Sequence, residues 1–317
     1  LWERLLNRLG TPVFFRRLGT LIVAHHMDAP ELSRFSRLLQ HKINALPTHI
    51  LPPKTRPEIR WSLTRTELRQ LEPQIGERFQ QGVYIPGEGQ IDNRQLMMAL
   101  EQSILANQAD WREGIDIQQA VPHQIVSKDL TPAQTFDWVI DCRGLGAQPD
   151  WNSVRGVRGE IIRVHAPEVS LSRPVRLMHP RYPLYIAPRE NSHYLIGATS
   201  IESQDFQPMT AQSALELLSA AFTLHAGFAE ASILEMQVNC RPALPDNLPK
   251  IRVSDGLIQI NGLYRHGFLI SPKMTELVVD YLATGTIQPH YKNLFSEQTE
   301  DSYQKKPSEV TDYAIAN

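Results

Sequence analysis

Ile258-Gln259-Ile260-Asn261-Gly262-Leu263-Tyr264-Arg265-His266-Gly267-Phe268-Leu269 reads as a buried strand that runs into a loop bounded by two glycines. Ser271-Pro272 then leads into a last long helix, expected at about Lys273 to Leu282. A strand that stops at a glycine and feeds a helix is the repeating step of a doubly wound α/β sheet. Gly262 and Gly267 permit close backbone approach, and the amides at a helix start attract an anion or a polarised carbonyl. Arg265 in that loop is a candidate partner for a carboxylate. His266 shares the location, although a lone histidine is more often structural.

Upstream, Phe136-Asp137-Trp138-Val139-Ile140-Asp141-Cys142-Arg143-Gly144 repeats the pattern of an apolar strand ending at glycine. From Arg158 the texture changes to hairpin-like strands: Glu160 to Val164, Val175 to Met178, Leu184 to Ala187 and Tyr194 to Thr199. In Arg181-Tyr182-Pro183-Leu184-Tyr185-Ile186-Ala187-Pro188-Arg189, the two-residue period turns Tyr185 away from Leu184 and Ile186. Its hydroxyl needs a partner, either backbone in a core or a ligand carboxylate. A helix is expected from Thr210 to about Ala226, and strands at Ser232 to Asn239 and Leu257 to Asn261. Arg241 ends the first of these, and Pro242, Pro245 and Pro249 stiffen the loop that follows. An arginine there either makes a structural ion pair, with Asp246 nearby, or holds a ligand carboxylate in a two-bond fork.

In the N-terminal third, Leu1 to Leu9 is helix-like, and Pro12 to Phe15 and Gly19 to Ala24 read as strands. A helix starting near Pro30 places Leu32, Phe35, Leu38, Leu39 and Ile43 on one face. Thr64 with Glu67 forms a capping box, and Asp92 caps a helix whose stripe is Leu96, Leu100 and Ile104. Beyond about Thr286 the chain turns polar and reads as a loose tail. The fold class is α/β, α+β overall: an incomplete doubly wound domain interleaved with a mostly antiparallel sheet domain.

The composition is that of an ordinary globular chain, with 42% apolar and 21% charged residues in 317. A net charge of −2 gives no electrostatic basis for nucleic acid or an anionic membrane as partner. No apolar stretch reaches the ~18 residues of a membrane span, and no secretory signal pattern is present. Cys142 and Cys240 form no metal-spaced pair, so neither a disulfide framework nor a metal centre is expected, and a reducing cytoplasm fits.

Taken in order, these stretches resemble the D-amino-acid oxidase superfamily of flavoproteins, and within it the glycine oxidases of thiamine biosynthesis. Gly262 to Leu269 is similar to the family's C-terminal flavin-contacting loop. Arg241-Pro242 with Pro245-Asp246-Asn247-Leu248-Pro249 resembles its arginine-proline segment, and Tyr185 to Arg189 with Gly197-Ala198-Thr199 its substrate-domain hairpin. The likeness runs from about Gly10 to Ala283.

The resemblance implies non-covalent FAD, with Leu263, Tyr264, Arg265, His266, Gly267, Phe268 and Leu269 along the isoalloxazine. Val121 would offer backbone to the adenine side, and Gly144 would pass beside the dinucleotide, with Arg143 bulkier than the small residue some members carry. It implies that Tyr185, Arg241 and Arg265 bind the carboxylate of a small amino acid or amine. Hydride would pass to flavin N5, an imine would form, and O2 would become hydrogen peroxide. A homo-oligomer is a further expectation. The substrate domain is expected over residues 10–90 and 158–250, the FAD-binding domain over 91–157 and 251–285, and the tail over 286–317. The family's opening strand and Gly-x-Gly-x-x-Gly turn are not found, since the spacings of Gly82, Gly87 and Gly89 and of Gly144 and Gly146 do not fit. Either the sequence is N-terminally incomplete or it is a remnant unable to hold FAD. A dehydrogenase that uses another electron acceptor is the remaining alternative.

Overall fold

The computed structural model describes residues 1–46, 58–75, 78–130, 134–178 and 184–297. It divides into two compact units, one made of residues 3–110 and 158–239 and the other of residues 1–2, 111–157 and 240 onward. The α/β expectation holds, with four sheets and six α-helices among the described residues.

The first unit centres on an eight-stranded sheet. Its order is Ser232–Ala243, Arg155–His165, His193–Gly197, Leu184–Pro188, Val175–Met178, Thr20–Ala24, Gln81–Ile85 and Arg60–Thr64. From Arg155–His165 to Arg60–Thr64 the neighbouring strands are antiparallel, except that Val175–Met178 runs parallel to Thr20–Ala24. The two-residue period sorts the side chains. Leu21, Val23, Ile162, Val164, Leu184, Ile186 and Ile196 join Leu217, Ala221 and Leu224 of the helix Ala211–Leu224 in the main core. Ile22, Ala24, Val83 and Ile85 pack with Leu32, Phe35 and Leu39 of the helix Ala29–Ala45. Leu38 is exposed and leaves the stripe expected for that helix. The capping box at Thr64 and Glu67 forms, and Asp92 caps the helix Asn93–Ala106 through the amides of Arg94 and Gln95. On that helix Leu96 and Ala99 are buried, whereas Ile104 is exposed. This helix sits in the sheet-rich unit, tied there by the Phe14 amide to Gln95 Oε1 (2.6 Å) and by Arg94 to Glu235.

The second unit holds a four-stranded sheet in the order Phe295–Glu297, Lys250–Ser254, Leu257–Asn261, Val139–Asp141. Val139–Asp141 runs parallel to Leu257–Asn261 and is the edge strand among the described residues, with Ile140 46% exposed. The strand Lys250–Ser254 was not anticipated: only Ile251 and Val253 supply its apolar alternation, too short a run to stand out beside the proline-rich loop before it. Phe295–Glu297, placed in the tail by composition, pairs parallel with it. Residues 298–317 of that tail, and residues 181–183 ahead of Tyr185, lie outside the described residues.

The last helix spans Gly267–Thr284, six residues earlier than expected at Lys273, and packs Met274, Leu277 and Val278 on Ile251 and Ile258. It therefore contains Pro272, which has no amide hydrogen to donate to the Phe268 carbonyl four residues back. The indole N–H of Trp2 donates to that carbonyl at 2.7 Å, so the defect is filled from the N-terminus of the chain. This is why the helix continues through a proline that the sequence marks as a start.

Candidate functional site

The ends of Val139–Asp141 and Leu257–Asn261, registered with Asp141 opposite Gln259, frame a crevice in the second unit. Ligands of open α/β sheets bind in such a place, at the carboxyl ends of parallel strands. The cavity measures about 270 Å³, and its walls include Cys142, Gly144, Pro242, Leu263, Ser271 and Thr275. That is slightly below the ~300 Å³ lower end of ligand pockets.

Two glycines let the chain turn here. Gly144 has φ +59° and Gly262 φ +76°, a region open chiefly to glycine. A Cβ on Gly262 would lie 2.8 Å from Leu244, so that position is closed to any side chain. The two turns are joined by Asn261. Its Nδ2 donates to the Gly144 carbonyl at 2.8 Å, and its Oδ1 accepts from the Gly262 amide at 2.8 Å. Asn261 was not singled out from the sequence. The readable sign was an asparagine at the exit of an apolar strand just before a glycine.

Arg143 does not stand in the crevice. Its guanidinium holds Asp141 through Nε and Nη2, both at 2.9 Å, and Asp150 through Nη2 at 2.6 Å. Nη1 donates to the carbonyls of Ile117 and Gln118. Gln259 Nε2 adds a bond to Asp141 at 3.1 Å. Burial alone would push the Asp141 carboxyl up, but these bonds hold it below the usual carboxylate range. Burial and Asp141 push the Cys142 thiol up, so it stays protonated at neutral pH. The strut thus fixes the turn that carries Gly144 and removes the bulk that its sequence position suggested.

The other expected residues scatter. Gly144 and Leu263 line the crevice; Tyr264, Arg265, His266, Gly267, Phe268 and Leu269 do not. Tyr264, Arg265 and His266 form a short 3-10 turn, in which the Arg265 guanidinium lies 5.2 Å over the Tyr264 ring. Gly267, Phe268 and Leu269 belong to the first turn of the last helix, with Phe268 and Leu269 exposed. Val121 ends a hairpin strand opposite Gln124. Arg241 is half-buried near the end of Ser232–Ala243, beside the buried Cys240.

In the sheet-rich unit, Tyr185 is half-buried on the face opposite Leu184 and Ile186, as its position in the strand requires. Its cross-strand partners are Arg176 on one side and Gly197 on the other. A Cβ on Gly197 would sit 3.1 Å from the Tyr185 hydroxyl and 2.8 Å from Ile161, so glycine makes the seat on which the phenol rests.

Fold and crevice together define an α/β protein with a ligand crevice at the carboxyl ends of parallel strands. Residues 1–281 match the FAD dependent oxidoreductase family, DAO, and the chain belongs to it. A protein of Rhizobium etli named as a thiamine biosynthesis oxidoreductase, ThiO, is 37% identical over 289 residues, covering 91% of this chain and 77% of that protein. The glycine oxidase of Geobacillus kaustophilus is 30% identical over 237 residues, 70% of this chain and 61% of that protein. A solved structure of glycine oxidase from the same organism superposes with a TM-score of 0.72 at 24% identity, over 90% of this chain and 76% of that one. Iminodiacetate oxidase from Chelativorans sp. BNC1 gives 0.74 at 22% identity, over 93% and 81%. At these identities the structural likeness establishes the fold.

The cofactor of the family is FAD. The crevice fits a part of it: glycine-lined turns at two strand ends, a mostly apolar wall, and the hydroxyls of Ser271 and Thr275. The glycine-rich turn that would receive the pyrophosphate is not among the residues of this sequence.

Proposed function

We propose that this chain carries amino-acid-oxidising machinery of the glycine oxidase kind. Glycine or another small amino acid would become its imine, dioxygen would become hydrogen peroxide, and the product would serve thiamine thiazole synthesis. The observation that supports this most is the glycine-lined crevice at paired strand ends, in a chain 37% identical to a protein named for thiamine biosynthesis. Bound FAD would supply the two-electron oxidation by accepting hydride from the substrate α-carbon and returning the electrons to oxygen.

The protein's part is to bind and orient. Gly144, Leu263 and the turn from Tyr264 to Leu269 would contact the flavin side, and Val121 the adenine side. Arg241 and Arg265 would hold the substrate carboxylate, fixing the direction of the α-carbon bond. Tyr185 would donate its hydroxyl to the same class of ligand. The cofactor would be non-covalent: Cys240 is buried, and the Cys142 thiol is pushed away from the thiolate. The setting would be cytoplasmic, with neither nucleic acid nor membrane as partner, and the chain would form a homo-oligomer. No described helix is long and apolar enough to cross a membrane. The domain assignment is proposed in the same sense, the sheet-rich unit for substrate and the crevice-bearing unit for FAD.

The test is glycine-dependent peroxide release by the FAD-loaded protein, compared with Arg241→Ala. Loss of a charge-assisted fork worth about 3 kcal/mol should raise KM and lower kcat/KM by roughly a hundredfold. An unchanged kcat/KM for glycine would remove Arg241 from the site. Dye reduction without peroxide would point to a dehydrogenase.

A further inference from the structure

A second cavity, of about 50 Å³, lies wholly within the sheet-rich unit at the start of the helix Asn93–Ala106. Its walls include Asp92, Arg94, Arg163, Arg189, Leu195 and Gln237. At roughly 10–15 Å³ per water, it has room for about four waters or one small oxyanion.

The donors around it outnumber the acceptors. Glu235 already takes both Nη atoms of Arg94, at 2.9 and 2.5 Å, and Gln237 Nε2 at 2.9 Å. Arg163 reaches the same carboxylate only at 3.4 Å. Asp92 Oδ1 accepts from the amides of Arg94 and Gln95, and its Oδ2 faces Arg189 at 3.5 Å. Arg189 is otherwise committed to Gln90 Oε1 and to the carbonyls of Pro188 and Ile91. Gln90 Nε2 is buried with no hydrogen-bond partner among the described residues. Three guanidiniums against the carboxylates of Asp92 and Glu235 leave one net positive charge. Burial lowers the Arg189 pKa, and the nearby Arg163 lowers it further. Arg163 makes the fewest bonds of the three, a single one at 3.4 Å to a carboxylate that Arg94 and Gln237 already occupy, and its planar donors suit an oxyanion.

We propose that this cavity binds a small oxyanion, a carboxylate or a phosphate-sized inorganic anion, with Arg163 as its principal ligand. Its walls share no residue with the crevice described above, and the proposal does not depend on the amino-acid oxidase reading. Arg163 faces the same side of the sheet as Tyr185, since Arg163 pairs with Leu195 and Leu195 with Ala187, two residues along from Tyr185.

The test follows the thermal unfolding midpoint of the whole chain against sodium acetate and, separately, sodium phosphate, with ionic strength held constant by sodium chloride. A saturable rise with one of them is expected, and which one does so distinguishes a carboxylate from an inorganic phosphate ligand. Arg163→Met should abolish the saturable rise, and Arg176→Met, on a surface pair with Glu88, should keep it. Glu235→Gln removes the competing carboxylate and should tighten binding by about tenfold, the equivalent of one charge-assisted hydrogen bond. If Arg163→Met does not fold, Arg163→Lys must weaken binding severalfold, because lysine lacks the fork. No saturable rise with either anion, or one untouched by these substitutions, would overturn the proposal and leave the arginine cluster as a structural ion network.

Discussion

Replacing Arg143 with methionine keeps much of the side-chain length and removes all five donors of the guanidinium. The carboxylate side chains left behind are Asp141, 0% exposed, and Asp150, 6% exposed. Gln259 and the amide of residue 143 would remain as neutral partners of Asp141, while the carbonyls of Ile117 and Gln118 would lose Nη1. Breaking a buried pair by removing one member costs about 3–5 kcal/mol, because the surviving charge is desolvated without compensation. For a domain of this size that lowers the unfolding midpoint by on the order of 10 °C or more. The assay is equilibrium unfolding followed by tryptophan fluorescence. Trp2, Trp111, Trp138 and Trp151 lie in the crevice-bearing unit and only Trp61 in the other, so the signal reports mainly on the unit that is perturbed.

The pH dependence gives the prediction a second arm. In the native protein the Asp141 pKa is depressed, so its contribution is present above the unfolded value of about 3.9 and is lost as pH falls through the lower folded value. Without the Arg143 guanidinium, burial, the largest single influence on Asp141, outweighs the two neutral bonds left and raises the folded pKa above the unfolded one. The penalty is then largest at neutral pH and is relieved as protons bind. The stability gap between Arg143→Met and the native protein should therefore narrow as pH falls toward 5. A loss under about 1 kcal/mol, or a gap that stays constant with pH, would refute the strut as the device that fixes the Gly144 turn.

Other perturbations read out neighbouring parts of the account. Gly262→Ala places a Cβ 2.8 Å from Leu244 at φ +76° and should cost about 1–3 kcal/mol, together with weaker FAD binding by fluorescence titration. Trp2→Phe removes the bond that completes the helix at Pro272 and should cost about 1 kcal/mol in urea unfolding. Ile140→Lys puts a charge on the exposed edge strand and should reduce self-association in sedimentation velocity, the usual effect of an edge lysine. Gly197→Ala crowds the Tyr185 hydroxyl and should raise KM for an amino-acid substrate more than it lowers kcat, with Tyr185→Phe giving the same pattern.

Elements with local signals were legible. Thr64 and Glu67, Asp92, and the alternation around Tyr185 each encode their structure within a few residues, and each forms as expected. Features set by distant partners were not. Lys250–Ser254 carries only two apolar positions, Ile251 and Val253, and is held as a strand between Leu257–Asn261 and Phe295–Glu297. The last helix begins before Pro272 because Trp2, 266 residues away, supplies the missing donor. Arg143 looked like an obstruction when only its size was visible. Asp150, seven residues on, decides where its guanidinium goes. The crevice was foreshadowed by Gly144 and Gly262, whereas Asn261, which joins their turns, is a residue whose role only the fold reveals.

The most direct measurement of the central claim is the visible absorption spectrum of this protein, titrated with FAD and then mixed with glycine in the absence of oxygen. The account predicts a perturbed flavin band on binding, its bleaching by glycine, and its recovery with peroxide release when oxygen is admitted. A protein that stays colourless in excess FAD, or a bound flavin that no small amino acid bleaches, would contradict it.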